Sequence, residues 1–114
     1  MAFEAVVQVK FTGVEGSDPV QLQEAVTDSI LDETEETGLD LAVLSANVTD
    51  RDKEIGEVGA EISVSADALR LKFGEPEWQD NISQDGVQIL LTDLFGRCFD
   101  DSETKFELEE IEML

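Results

Sequence analysis

The chain contains no histidine, so the commonest general acid-base side chain is missing and no Ser-His or Cys-His nucleophile pair can be assembled. Its single cysteine, Cys98, falls on an apolar stripe with Val87, Leu91 and Leu94, where a thiol packs as a small hydrophobe. No glycine motif of the phosphate-cradling kind occurs. Carboxylates are what remain for chemistry: 28 Asp and Glu stand against 7 Lys and Arg, a formal charge of −21. In so acid-rich a chain, close pairs arise without design. We therefore expect no enzymatic activity and no cofactor.

Two arrangements of carboxylates have meaningful spacing. Asp50, Asp52, Glu54 and Glu61 fall at positions 1, 3, 5 and 12 of an EF-hand count, but Ile55 stands where the turn glycine is required and the flanks alternate like strands. Calcium binding is thus a minor alternative, and no metal site is assigned. The second arrangement is more extended. Glu24, Asp28, Asp32 and Glu35 are spaced four, four and three, which stacks them on one face of a helix opposite Leu22, Val26 and Ile30. Asp32, Glu33, Glu35 and Glu36 crowd the end of that helix, and Asp100, Asp101 and Glu103 follow a second one. Negative charge at a helix C-terminus opposes the macrodipole. On the last strand, Glu107 and Glu109 should point the same way, about 7 Å apart. These acids weaken folding locally, so a role outside folding accounts for them best.

The elements that must position these groups are readable from periodicity. Phe3, Ala5, Val7, Val9 and Phe11 alternate with polar residues as a half-buried strand that ends at Gly13 and Gly16. A helix opens at Asp18, with Pro19 in its first turn and Gln21 at a capping-box spacing, buries Leu22, Ala25, Val26, Ser29 and Ile30, and stops at Gly38. Leu39, Leu41 and Val43 begin a second strand whose apolar phase shifts at Leu44, Ala46 and Val48, the mark of a bulge. Asp50–Glu57 reads as a polar loop, and Ala60, Ile62, Val64 and Ala66 as a third strand. For Asp67–Phe73 the alternation of Leu69, Leu71 and Phe73 favours a strand, although Ser65 and Gly74 are placed to cap a short helix. A second long helix runs from about Asp85 to Phe99, and Phe106 and Leu108 mark a last strand.

This order predicts one acidic domain over residues 1–114. Its fold class is α+β, a two-layer sandwich with two helices on one face of an antiparallel sheet, either ferredoxin-like βαββαβ or a variant with an extra hairpin strand. The N-terminus alternates like a strand and lacks a basic start, and no apolar run reaches the length of a membrane span, so a cytoplasmic protein is expected. The sequons at Asn47 and Asn81 then carry no sugar.

Charge decides the expected partner. Nucleic acid and anionic membranes are repelled, and RNA recognition would need exposed aromatics and basic residues, whereas Phe3, Phe11, Phe73 and Phe106 read as core and any Arg70 and Lys72 on the open sheet face share it with Glu4, Glu61, Glu107 and Glu109. A basic protein is the complement, with the chain itself a monomer or homodimer. Two outlying apolar side chains, Leu31 on the charged side of the first helix and Trp78 among Glu75, Glu77 and Asp80, suit an interface anchor, while Trp78 could equally fold back as a lid on the core. The partner-binding candidates are Glu24, Asp28, Leu31, Asp32, Glu35, Trp78, Glu107 and Glu109.

In composition the chain resembles phage-encoded DNA-mimic inhibitors, anti-CRISPR proteins among them, through its small size, single domain and extreme acidity. That resemblance implies a non-catalytic protein in the host cytoplasm that occupies the basic nucleic-acid site of a partner. The alternative is a small subunit or accessory domain of a salt-adapted organism. Low Lys and abundant acids agree with it, whereas the excess of Glu over Asp and the failure of Arg to replace Lys do not.

Overall fold

A computed structural model describes residues 4–39, 41–99 and 103–113, which leaves Phe3, Asp100 and Asp101 outside the described residues. The elements follow in the order β1 (Glu4–Glu15), α1 (Pro19–Thr37), β2 (Leu41–Asp52), β3 (Ile55–Ser65), α2 (Ala66–Phe73), a 3-10 turn (Glu77–Asn81), α3 (Gln84–Cys98) and β4 (Lys105–Met113). The four strands form one antiparallel sheet in the order β2-β3-β1-β4. This α+β arrangement is compatible with a ferredoxin-like sandwich carrying one additional short helix.

Alternation along the two central strands separates the sheet's faces. Ala5, Val7, Val9 and Phe11 of β1 and Val58, Ala60, Ile62 and Val64 of β3 are buried beneath the helices. Leu22, Val26 and Ile30 of α1 and Val87, Leu90, Leu91, Leu94 and Phe95 of α3 complete one core. Phe11 meets Phe95 edge-on, ring centroids 5.3 Å apart, and Phe95 meets Phe106 in the same way at 5.4 Å.

Local chemistry fixes the limits of α1. The Asp18 carboxylate accepts from the Gln21 N–H at 2.9 Å, and the Gln21 side chain accepts from the Ser17 N–H at 2.8 Å. At the far end Gly38 adopts φ 75°, a left-handed conformation that costs a residue without Cβ little, and its N–H donates to the Thr34 carbonyl. Register shifts between Val43 and Ser45, the bulge that the phase change in the sequence predicts, but Leu44 is its extra residue and half exposed, and the inward phase resumes only at Ala46 and Val48.

Three expectations are corrected. Asp67–Phe73 is the helix α2: the Ser65 hydroxyl accepts from the Ala68 N–H, Ala68 and Leu69 are buried, and Leu71 is exposed. A strand would have put Leu69, Leu71 and Phe73 on one face; helical turning separates them. The Asp50–Glu57 loop is instead a hairpin with Lys53 and Glu54 as its turn, Lys53 adopting φ 56°. Here Asp50 stands opposite Glu57, and Asp52 opposite Ile55, while Glu61 is paired with Gln8 and Ser45, roughly 13 Å beyond Glu57 along β3. The acids of the EF-hand count therefore do not surround one point. Finally, Ala66 is not part of the third strand: β3 stops at Ser65 and Ala66 opens α2, while β4 runs on to Met113 with Ile111 and Met113 packed on the core.

Candidate functional site

Helix α1 lies on the covered face of the sheet and turns its other side to solvent. Six carboxylates (Glu24, Asp28, Asp32, Glu33, Glu35 and Glu36) and no Lys or Arg occur in its 19 residues. At a rise of 1.5 Å per residue this is one charge per roughly 5 Å of helix, against one per 3.4 Å for a single strand of duplex DNA. Glu33 reaches toward Arg97 at 3.7 Å. Among the described residues, the other five have no Lys or Arg within ion-pair distance, and all five are exposed.

The apolar line of the same helix borders this stripe. Val20 is 60% exposed and Leu31 48% exposed. With Glu24 and Thr27 of α1, they face Val43 and Ala46 of β2 across a groove of about 390 Å³. Strand β2 forms the sheet's edge there, and its Val43 and Ala46 are only half buried. On a helical projection Glu24, Glu35, Asp28 and Asp32 stand about 40°, 60°, 80° and 120° round the axis from the line of Val20, Thr27 and Leu31. Glu24 thus lines the groove, Glu35 and Asp28 form its outer rim, and Asp32 lies beyond it.

The open face of the sheet is acidic in a different way. Glu4, Glu57, Glu61, Glu107, Glu110 and Glu112 occupy it together with Gln8, Lys10 and Ser63. Three of these six acids have partners among the described residues. The Glu61 carboxylate accepts from Gln8 Nε2 at 2.8 Å, Glu4 from the Ser63 hydroxyl at 2.6 Å, and Glu57 from the Thr49 hydroxyl at 2.6 Å with Lys10 Nζ at 3.7 Å.

The candidate residues therefore divide. Glu24, Asp28, Leu31, Asp32 and Glu35 share the outer side of α1. Glu107 lies on the opposite face of the sandwich, so helix and last strand do not form one array. Simple alternation along β4 also fails: register slips between Gln8 and Val9, Glu109 is left as the extra residue, and Glu110 takes the place opposite Gln8. Trp78 is folded back, 8% exposed, with the Arg70 guanidinium 4.7 Å over its ring. That is the lid position, and it withholds the ring from a partner. Arg70 is itself held by Asp67 at 3.0 Å and Glu75 at 3.1 Å.

Two groups outside the stripe have shifted acidities. Burial, reinforced by the nearby Glu33 carboxylate, pushes the Cys98 thiol up to about 11, so it stays protonated near neutrality. It lies 3.7 Å from the Ser29 carbonyl, half buried between α3 and α1. The hydrogen bond from Lys72 at 2.6 Å holds the Asp93 carboxyl below its ordinary value. Arg97, at 3.3 Å, adds to the effect.

No family model and no curated protein matches this chain. Among solved structures it is similar to the crystal structure of an amidase of the hydantoinase/carbamoylase family from Burkholderia multivorans. The identity is 17% and the TM-score 0.43, over 97% of this chain and 28% of that one. The chain thus spans well under a third of that protein's length, and a likeness of this degree says nothing of activity.

Proposed function

We propose that this is a non-catalytic acidic binding protein whose α1 face occupies the basic nucleic-acid site of a partner protein, its carboxylates standing where phosphates would lie. One observation carries the reading: five exposed acids stand on one rigid helix that holds no Lys or Arg, and none of the five has a basic neighbour within ion-pair distance among the described residues. An intramolecular purpose would leave fewer of them bare, above all at the C-terminal turn, where the helix dipole disfavours them. The five acids supply the field that steers a basic groove toward them.

The test is binding to the basic partner at two salt concentrations. Affinity is expected to fall by at least about tenfold between roughly 50 and 200 mM salt, because several charge contacts are screened together. Asp28→Lys combined with Asp32→Lys should abolish binding by setting like charge against the groove. Binding that is insensitive to both changes overturns the choice of surface.

A second reading is favoured by the acids of the open sheet face, since a single docking surface has no need of charge on the far side of the molecule. A salt-adapted surface would carry acids all round. It requires a chain that unfolds in dilute buffer and gains stability into molar potassium chloride, an outcome that circular dichroism reads directly.

A further inference from the structure

We propose that the groove between α1 and β2 receives an extended protein segment in which basic and apolar residues alternate. This deepens the preceding reading and rests on the partner being basic. The argument is one of matched repeats. Glu24, Asp28 and Asp32 recur every fourth residue of α1, a spacing of about 6 Å along the helix axis. Alternate side chains of an extended chain recur about every 6.6 Å. The carboxylate row turns about 40° round the axis at each step, so a segment lying along the groove sets alternate residues beside Glu24 and Asp28, with Asp32 beyond the rim. The residues between them point inward, onto Leu31, Val43 and Ala46.

Chemistry selects the two sets. At the rim, Lys or Arg meets acids that have no other basic neighbour among the described residues. In the groove, small or branched apolar side chains cover Val20 and Leu31, which are otherwise 60% and 48% exposed. The edge of β2 is a poor template for continuous strand addition, because its register is interrupted between Val43 and Ser45 and again between Val48 and Asp50. Side chains, more than backbone hydrogen bonds, must then supply the recognition. The matching element in a partner is a strand or extended arm with basic residues at alternate positions.

Fluorescence anisotropy with three labelled peptides tests the proposal on the intact chain. Lys-Val-Lys-Val-Lys-Val-Lys carries the alternating pattern; Lys-Ser-Lys-Ser-Lys-Ser-Lys keeps the charge and removes the apolar set; a third peptide groups the same lysines and valines into two blocks. The alternating Lys/Val peptide is expected to bind about tenfold or more tightly than either of the others, the gain of burying its valines. Leu31→Ser, at an exposed position, should erase that advantage. Equal binding of the three peptides, or an advantage that survives Leu31→Ser, overturns the groove. If all three bind equally and all are lost in the Asp28→Lys, Asp32→Lys variant, the charged face stands and only the groove falls. If none binds in dilute buffer, both fall.

Discussion

Replacing Glu36 by lysine reverses one charge in the last turn of α1, a turn that contains no basic residue and ends in the Gly38 cap. Glu36 is exposed, so the substitution removes no packing. An acid there opposes the partial negative charge of the helix C-terminus, and a cation favours it, each by about 0.3–1 kcal/mol. The change also converts the Asp32–Glu36 repulsion, four residues apart, into an Asp–Lys pair worth about 0.3–0.5 kcal/mol. Taking the lower half of each range for an exposed site, the gain is about 1 kcal/mol, or roughly 4 °C in Tm for a domain of this size. Thermal melts followed by circular dichroism, in dilute buffer and again in about 0.5 M potassium chloride, read the effect, and screening should remove most of the gain in the second. A Tm that is unchanged or lower in dilute buffer refutes the view that these acids act against folding. So does a gain of the same size at both salt concentrations.

Other expectations follow from single contacts. Gly86→Ala sets a methyl against the Asn81 carbonyl, a backbone group that cannot swing aside, and should cost about 1–3 kcal/mol in urea unfolding. Asp18→Ala removes the N-cap of α1 and should cost about 1 kcal/mol by the same measurement. Because the Cys98 thiol is raised to about 11, alkylation of the folded chain should be slow at neutral pH and accelerate steadily up to that value. The unfolded thiol ionises first, near its ordinary value of 9.0, so the stability this group contributes is intact below pH 9 and is lost as pH rises from there toward 11. For Asp93 the sign is opposite: its lowered pKa contributes stability above the ordinary carboxyl range, lost as acid protonates the folded carboxylate, and Lys72→Met should diminish that acid sensitivity.

Where apolar and polar residues contrast strongly, the sequence already carries the fold. The alternation of Val7, Val9 and Phe11, the Asp18-Pro19 start and Gly38 stop of α1, and the phase change at Leu44 each have one physical reading, and together they lead to the sandwich. Contrast is lacking where the expectations miss. Leu69, Leu71 and Phe73 satisfy a two-residue period by coincidence, and the Ser65 cap outweighs it. Glu109 and Glu110 are alike, so nothing in that run marks which is the extra residue of a bulge. The fate of Trp78 depends on Arg70 of α2 lying across its ring, a tertiary contact that no local pattern encodes. At the candidate site the acidic stripe and the outlying Leu31 are visible in the helical spacing. The groove beside them is not, because Val43 and Ala46 reach it from another element and only the edge position of β2 leaves them half uncovered.

Competition between this chain and duplex DNA for one basic partner tests the central claim most directly. With labelled chain bound to the partner in dilute buffer, unlabelled duplex of unrelated sequence should displace it completely, and unlabelled chain should displace labelled duplex in return, whereas the Asp28→Lys, Asp32→Lys variant should do neither. A ternary complex in which partner, DNA and this chain are bound together would contradict the account, since carboxylates that stand in for phosphates cannot share their site with them.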